Sequence, residues 1–277
     1  MNDIIPVRCD YIHTNEGYDK LINAISCNVQ DGDIVVISET PISIIEGNVV
    51  DESCYEYGFV SFLITEVWCK FIWGYVFALF KYNYRTIRNL RRMPVEARYH
   101  KEFILRRYGL KHALMPSGEA GVDLSNVPDS FVSLLPDNPR DSAFNIKNLL
   151  YEKFNVDVDV LVIDTDPTYD FCGRLYTSIP KSVDGIVNDT GVYGYFLRFF
   201  SKYVGATPLA STFNEDAFSL IRLANIAEDC QKNTLTNFFE TIYDMEDRFD
   251  ADIKNISAEM LEEVMHIPAV IIKRNYL

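Results

Sequence analysis

The chain has 277 residues, of which 48% are hydrophobic, and its formal net charge at pH 7 is -14. A chain of this length and composition can bury a sizeable core, which excludes an intrinsically disordered protein. The strongly negative charge argues against a protein that binds nucleic acid through an overall basic surface. We therefore expect a globular protein that acts on small molecules and has no nucleic acid as a partner.

The cysteines and the first residues predict a cytoplasmic location. The six cysteines form no Cys-x-x-Cys pair and have no histidine companions at zinc-site spacing. They are typical of reduced, mostly buried thiols in a cytosolic protein. The first residues lack the basic and apolar regions of a secretory signal peptide, which is consistent with that location.

Hydrophobic spacing predicts a mixture of strands and helices. In chain order, the expected elements are a strand at residues 4–7, a helix at 18–25, a strand at 34–37, a helix at 97–108, a helix at 143–154, a strand at 158–163 and a helix at 216–228. Asp141 or Ser142 is the expected N-cap of the helix at 143–154.

Residues 58–80 form an aromatic-rich apolar run that is long enough to span a bilayer. Glu66 and Lys70 lie four residues apart in this run and would form a pair on one helical face. Each would cost about 2.5 to 3.5 kcal/mol near the centre of a membrane. The run therefore favours a helix buried in the protein or in a dimer interface, with membrane association as the alternative.

The charged residues are unevenly distributed. Residues 81–111 contain ten Lys or Arg and two acids, whereas residues 214–264 contain thirteen acids and four bases. The pattern predicts that these two surfaces face each other, within a subunit or across a dimer. An anionic ligand or a membrane facing the basic stretch is the alternative.

A loop at residues 118–128 has the composition of a tight ligand-binding turn. Gly118 and Gly121 permit backbone conformations that other residues disfavour, and Pro128 ends the turn. Asp123, Ser125 and Asn126 supply oxygen and amide groups between them.

A second set of polar groups follows the apolar run at 158–163, where Asp164 and Thr165 close the expected strand. Proteins with α/β sheets often bind ligands at the carboxyl ends of strands. Hard oxygen groups on separate elements suit Mg²⁺ or Mn²⁺ held together with substrate phosphates. An Asp in this position is also typical of a helix cap or a turn, so both interpretations remain open.

Several segments, taken in order, resemble the coenzyme F-420-0:L-glutamate ligase family. They are Gly32-Asp33-Ile34-Val35-Val36-Ile37, Ala120-Gly121-Val122-Asp123-Leu124-Ser125-Asn126-Val127, Asp164-Thr165 and His266-Ile267-Pro268-Ala269-Val270. The resemblance implies an α+β fold with a mixed sheet and two subdomains, in a single unit covering residues 1–277. Two segments look inserted, a helical one at 58–111 and an acidic one at 229–265.

The resemblance also implies an activity, an amide-forming ligase that uses GTP and Mg²⁺ or Mn²⁺. The γ-phosphate would activate a carboxylate of F-420-0 or a related acid as an acyl phosphate, and the amine of L-glutamate would displace phosphate. No side chain would act as a nucleophile, and the protein would be a homodimer. The implied metal ligands are Asp123, Asp164, Thr165 and Glu228, and the implied nucleotide contacts are Thr40 and Asn126.

Three departures from the family pattern keep other interpretations open. Ile44 stands where the family has a phosphate-binding lysine, Asp166-Pro167-Thr168 replaces a turn containing Gly-Arg, and Glu228 lacks its flanking glycines. A solvated helix end is an equally good interpretation of Glu228. The second hypothesis is a paralogue that has lost GTP and binds another phosphorylated or acidic ligand. The third is a noncatalytic scaffold whose segment 58–111 docks on a membrane or a protein.

Overall fold

A mixed sheet forms the centre of the protein. The computed structural model describes residues 3–14, 16–80, 84–234 and 242–276. Its strands are β1 (Ile4–Cys9), β2 (Ile34–Ser38), β3 (Val49–Asp51), β4 (Phe131–Ser133), β5 (Asp159–Phe171), β6 (Arg174–Thr177), β7 (Ile186–Val187), β8 (Lys202–Ser211) and β9 (His266–Ile272).

The large sheet has the order β1-β9-β2-β5-β6-β7, and β8 pairs with β5. The neighbours β2 and β5 run parallel, whereas β9 is antiparallel to both β1 and β2. Strands β3 and β4 form a separate antiparallel ribbon. The mixed sheet and its helices confirm the expected α+β fold.

Helices cover both faces of the sheet. They are α1 (Asp19–Ser26), α2 (Glu39–Ile45), α3 (Phe59–Phe62), α4 (Tyr84–Arg91), α5 (Ala97–Tyr108), α6 (Leu110–Ala113), α7 (Pro139–Phe154), α8 (Val192–Leu197), α9 (Ala217–Thr234), α10 (Ile242–Phe249) and α11 (Ala258–Glu262). Val35 and Ile37 of β2 pack with α1 and α7, and Ile34 and Val36 pack with α9. Strands that are buried on both faces have continuous apolar sequences, so these strands could be predicted from the sequence.

Two local expectations were wrong. Asn138, rather than Asp141 or Ser142, is the N-cap of α7, because its side chain accepts a hydrogen bond from the backbone N–H of Asp141. Pro139 then occupies the first helical turn, where a missing N–H costs nothing. The strand expected to end at residue 163 continues to Phe171, because its polar half pairs with β6 and β8.

Residues Phe59–Leu79 form one long helix, most of it in a π-helical conformation after α3. The helix is long and apolar enough to cross a membrane. Only 28% of an apolar stretch of 18 residues within it is buried in the protein. Trp73 and Cys69 lie on the buried face. The opposite face exposes what we call the apolar stripe, in which large side chains recur every four residues: Phe59, Leu63, Val67, Phe71, Tyr75 and Leu79.

The basic and acidic segments contact each other within the chain, as one of the sequence alternatives predicted. Arg85 of α4 forms an ion pair with Asp244 of α10 at 2.6 Å, and Arg92 lies 3.3 Å from Glu246. Such partly exposed pairs contribute about 0–1 kcal/mol each, so their main effect is to match the two surfaces. Together they place α10 beside the loop at residues 118–128, where Met245 accepts a hydrogen bond from the backbone N–H of Asn126.

Candidate functional site

A cavity of about 700 Å³ lies where the loop at residues 118–128, the middle of β5, the start of α2 and helices α4, α5, α9 and α10 meet. Its described lining contains nine acids, but Arg85 and Lys232 are its only Lys or Arg. An anionic substrate would be repelled from such a cavity unless further positive charge accompanied it. The nine acids are Asp10, Glu39, Glu52, Glu96, Glu119, Asp123, Asp164, Asp166 and Glu228.

Two glycines bring the loop against β5. Gly118 has φ +66° and Gly121 has φ +67°, so both occupy the left-handed region that favours glycine. A Cβ at Gly118 would lie 2.7 Å from Oδ1 of Asp166, and one at Gly121 would lie 3.0 Å from Oδ2 of Asp164. The loop can therefore approach these two carboxylates only without side chains at both positions, as the sequence predicted for a tight turn.

Asp123 is fixed by its neighbours in the loop. Its Oδ1 accepts a hydrogen bond from the backbone N–H of Ser125 at 2.8 Å, and its Oδ2 accepts one from the Ser125 hydroxyl at 2.6 Å. Asn126 donates to the same hydroxyl at 3.2 Å and has φ +60°, an uncommon conformation for a residue with a side chain. Such strain often marks a functional site. Ser125 thus orients the carboxylate, and Asn126 holds Ser125.

An irregularity in β5 aims two acids at the loop. Thr165 and Asp166 are extra residues between successive pairs of β5 with β8. The backbone N–H of Asp166 donates to Oδ1 of Asp164 at 2.7 Å, and the hydroxyl of Thr207 donates to the carbonyl of Asp166 at 2.6 Å. Bulges of this kind redirect side chains and are common beside active sites. Asp164 therefore lies inside a strand, not at its end as the sequence suggested.

Four carboxylates form what we call the acid cluster: Glu39, Asp123, Asp164 and Asp166. Burial and then the charge of Asp123 raise the pKa of Glu39 from its ordinary value of 4.5 to about 8. Burial, then Asp123 and Glu119, raise the pKa of Asp166 to about 7. The pKa of Asp164 is also raised, by burial and then by Glu39, and burial raises that of Asp123. Negative charge in the cluster is therefore costly without a compensating cation.

The acid cluster has the donor chemistry of a site for a divalent cation. Oε2 of Glu39 and Oδ2 of Asp164 are buried and have no hydrogen-bond partner within the described part of the chain. Among those same residues, no group of three or more His, Cys, Asp or Glu side chains is arranged so that it could hold a metal ion. Mg²⁺ ordinarily takes only one or two carboxylates, with water and substrate phosphates as its other ligands, so the arrangement fits it.

All six residues singled out from the sequence line this cavity. The hydroxyl of Thr40 donates to Oε1 of Glu39 at 2.8 Å, and Thr165 is exposed toward the cavity. Glu228 is buried on α9, where Lys232 donates to it at 2.7 Å. The structure thus brings these residues together, while their roles in binding remain predictions.

Sequence reasoning missed Glu39 and Asp166. Glu39 is the first residue of α2. An acid is common there because its negative charge interacts favourably with the positive end of the helix dipole. Its signal was its position directly before Thr40, at the end of the buried run of β2. Asp166 was visible only as a departure from the family's turn.

Comparison with known proteins adds two findings. The family model described as F420-0:Gamma-glutamyl ligase matches residues 6–236, which include the loop at 118–128 and the acids of β5. An uncharacterized protein of Methanocaldococcus jannaschii is 35% identical over 284 residues, covering 97% of this chain and 95% of that protein.

Proposed function

Because the chain belongs to the F420-0:gamma-glutamyl ligase family, we propose that it forms an amide bond between a substrate carboxylate and L-glutamate at the expense of GTP. The substrate acid would be F-420-0 or a related molecule, and the reaction would take place in the cytoplasm. The observation that supports this proposal most directly is the acid cluster, with two buried carboxylate oxygens that lack partners among the described residues.

The proposed reaction requires two anions to meet inside an acidic cavity. A carboxylate and a triphosphate repel each other, and the acid cluster would repel both. Mg²⁺ or Mn²⁺ bound there would neutralise this charge and polarise the phosphoryl oxygens. Asp164 and Glu39 have oxygens available to hold it, and Asp123 is oriented by Ser125 for the same task. Two such ions would share these ligands, and Thr165 and Glu228 would complete the proposed set. Glu228 would then give up its contact with Lys232.

The chemistry needs no protein nucleophile. A substrate carboxylate oxygen attacks the γ-phosphorus of GTP, which breaks the bond to GDP and leaves an acyl phosphate. The amine of L-glutamate then forms the new C–N bond, the C–O bond to phosphate breaks, and the amine releases a proton. The protein's part is to bind, orient and exclude water, with Thr40 and Asn126 contacting the nucleotide.

One observation favours the paralogue as a second candidate function. Ile44 lines the cavity and is almost fully buried, so it offers no charge to a phosphate. Of the two Lys or Arg side chains in the described lining, Arg85 contacts Asp244 and Lys232 contacts Glu228. A ligand with fewer phosphates than GTP would suit such a cavity better.

The proposal includes a homodimer. The apolar stripe on Phe59–Leu79 would lose its contact with water in a subunit interface, and burial of apolar area is the main driving force for such association. A membrane is the alternative occupant, which the scaffold hypothesis requires.

Product formation tests the proposed function. The protein would be incubated with GTP, Mn²⁺, L-glutamate and F-420-0, and phosphate release would be followed together with the mass of the product. We expect phosphate release that requires all four components and is lost in Asp164→Asn. Asp10→Asn is the matched control, since Asp10 lines the same cavity outside the acid cluster. Undiminished turnover in Asp164→Asn, or turnover without metal, would contradict the assignment, and a wild-type protein that never consumes GTP would favour the paralogue.

A further inference from the structure

A second group of charged side chains lies next to the acid cluster and has no part in the proposed metal site. It comprises Glu52 from the turn after β3, His100 and Lys101 from α5, and Glu119 from the loop at 118–128. All four are buried, and Lys101 is only 1% exposed. Lys101 donates hydrogen bonds to Glu119 and to the carbonyl of Met115, so its charge is already engaged.

His100 is the member with unused hydrogen-bonding capacity. Its Nδ1 lies 2.8 Å from Oε2 of Glu52, and because a carboxylate only accepts, Nδ1 is the donor. Its Nε2 is 3.9 Å from Oε2 of Glu119, which is beyond hydrogen-bonding distance. This nitrogen is buried without a hydrogen-bond partner anywhere in the described ranges, although His100 lines the cavity.

The surroundings favour the charged form of this imidazole. Burial lowers the pKa of His100, but the neighbouring Glu52 and then Glu119 outweigh it, and the net shift is upward. In the charged form both ring nitrogens are donors. A buried charged donor without an acceptor is more costly than a neutral one, so the Nε2–H would gain from an anionic oxygen in the cavity.

We infer that Nε2 of His100 binds a carboxylate of the amino-acid substrate. This inference rests on the proposed function and names one of its substrate contacts. A carboxylate carries one negative charge and can be held by one strong donor. Glu52 and Glu119 would repel it less than they would repel a multiply charged phosphate. Glu119 also raises the pKa of Asp166, so this point lies within electrostatic reach of the acid cluster where the amide bond would form.

His112 provides a matched comparison within the same chain. It is also buried, its Nε2 lies 2.8 Å from a carboxylate oxygen of Asp189, and its Nδ1 has no hydrogen-bond partner among the described groups. Unlike His100, it does not line the cavity. Replacement of His112 should therefore leave substrate binding unchanged.

Binding of three probes tests the inference. L-Glutamate, glutarate and GTP with Mn²⁺ would each be titrated by calorimetry into the full-length wild-type protein, His100→Gln, His100→Leu and His112→Gln. We expect His100→Leu to weaken L-glutamate and glutarate at least about tenfold, the usual value of a hydrogen bond to a charged group, and to change GTP affinity less than about twofold. His100→Gln retains an N–H donor and should lose less affinity for L-glutamate and glutarate than His100→Leu.

Thermal unfolding of each variant separates a lost contact from a lost fold. If His100→Leu does not fold, Glu52→Gln substitutes for it, since that change keeps the imidazole but removes the carboxylate that orients it, and L-glutamate should again bind more weakly. Unchanged L-glutamate affinity in the folded variants would overturn the inference. An equal loss of GTP affinity in the His100 variants, or an equal loss of L-glutamate affinity in His112→Gln, would also overturn it. These titrations need no turnover, so they stand apart from the assay of the proposed ligase reaction.

Discussion

Replacing Glu39 by glutamine should change how the stability of the protein depends on pH. Glu39 is 7% exposed, and its pKa rises from 4.5 to about 8 through burial and then through the charge of Asp123. A raised pKa means that the folded state holds the proton more tightly than the unfolded state. The stabilising effect is therefore complete below pH 4.5 and is lost as the pH rises toward 8.

The expected magnitude follows from these two values. Their difference of about 3.5 pH units, at about 1.36 kcal/mol per unit, gives a loss of up to about 5 kcal/mol above pH 8. Between pH 5 and pH 8 the loss is about 3 to 4 kcal/mol. Glutamine cannot ionise, so it removes this loss, and it also relieves Asp164, whose pKa Glu39 raises. Any cost of glutamine that does not depend on pH cancels when the two pH values are compared.

Urea unfolding of wild type and Glu39→Gln at pH 5 and pH 8, in the presence of EDTA, measures this difference. Glu102→Gln is the control, because the pKa of Glu102 is shifted in the opposite direction. Glu102 is equally buried, but the N–H of Gly58, Arg106 and Ser61 outweigh burial and lower its pKa. Its ionised form is therefore stabilising at neutral pH, and glutamine there should destabilise the protein at pH 8. The reasoning is refuted if wild type and Glu39→Gln lose the same stability between the two pH values.

Three further predictions concern the loop, the metal and the apolar stripe. In urea unfolding, Gly121→Ala should destabilise the protein by more than about 2 kcal/mol, because the new Cβ would lie 2.9 Å from the side chain of Leu135. Gly47→Ala is the control. Gly47 has φ +75° and no atom within 4 Å of such a Cβ, so this change should cost only about 1 kcal/mol. Mn²⁺ should raise the melting temperature of wild type but not of Asp164→Asn, and an equal rise in both would place the metal elsewhere. Phe71→Glu should leave folding intact and shift a dimer to a monomer in sedimentation, and an unchanged mass would remove the stripe from the interface.

Local patterns were enough to predict much of the fold. The helix expected at residues 97–108 has those bounds, and the glycine that ends it has φ +80°. The runs at 34–37 and 158–163 were recognisable as strands because both are buried on two faces, and they lie in neighbouring parallel strands. The second half of β5 was not predicted. It pairs with the adjacent β6, but also with β8, which is distant along the chain and leaves no local pattern.

The site was only partly predictable for the same reason. Asp123 and Asp164 were found because they stand in motifs. The position of Glu39 directly before Thr40 did not by itself indicate that its carboxylate would lie near them. The position of Asp166 depends on Thr207, which holds its carbonyl from another strand. His100 and Glu52 are 48 residues apart, and a lone histidine in a basic helix gives no sign of a carboxylate partner.

Calorimetric titration of GTP with and without Mn²⁺ tests the central claim most directly. The account expects micromolar binding that requires Mn²⁺ and is lost in Asp123→Asn, a variant that should still fold. Absence of heat under both conditions, or equal binding with and without the metal, would contradict the claim that the acid cluster holds a divalent cation for a nucleotide-dependent ligase.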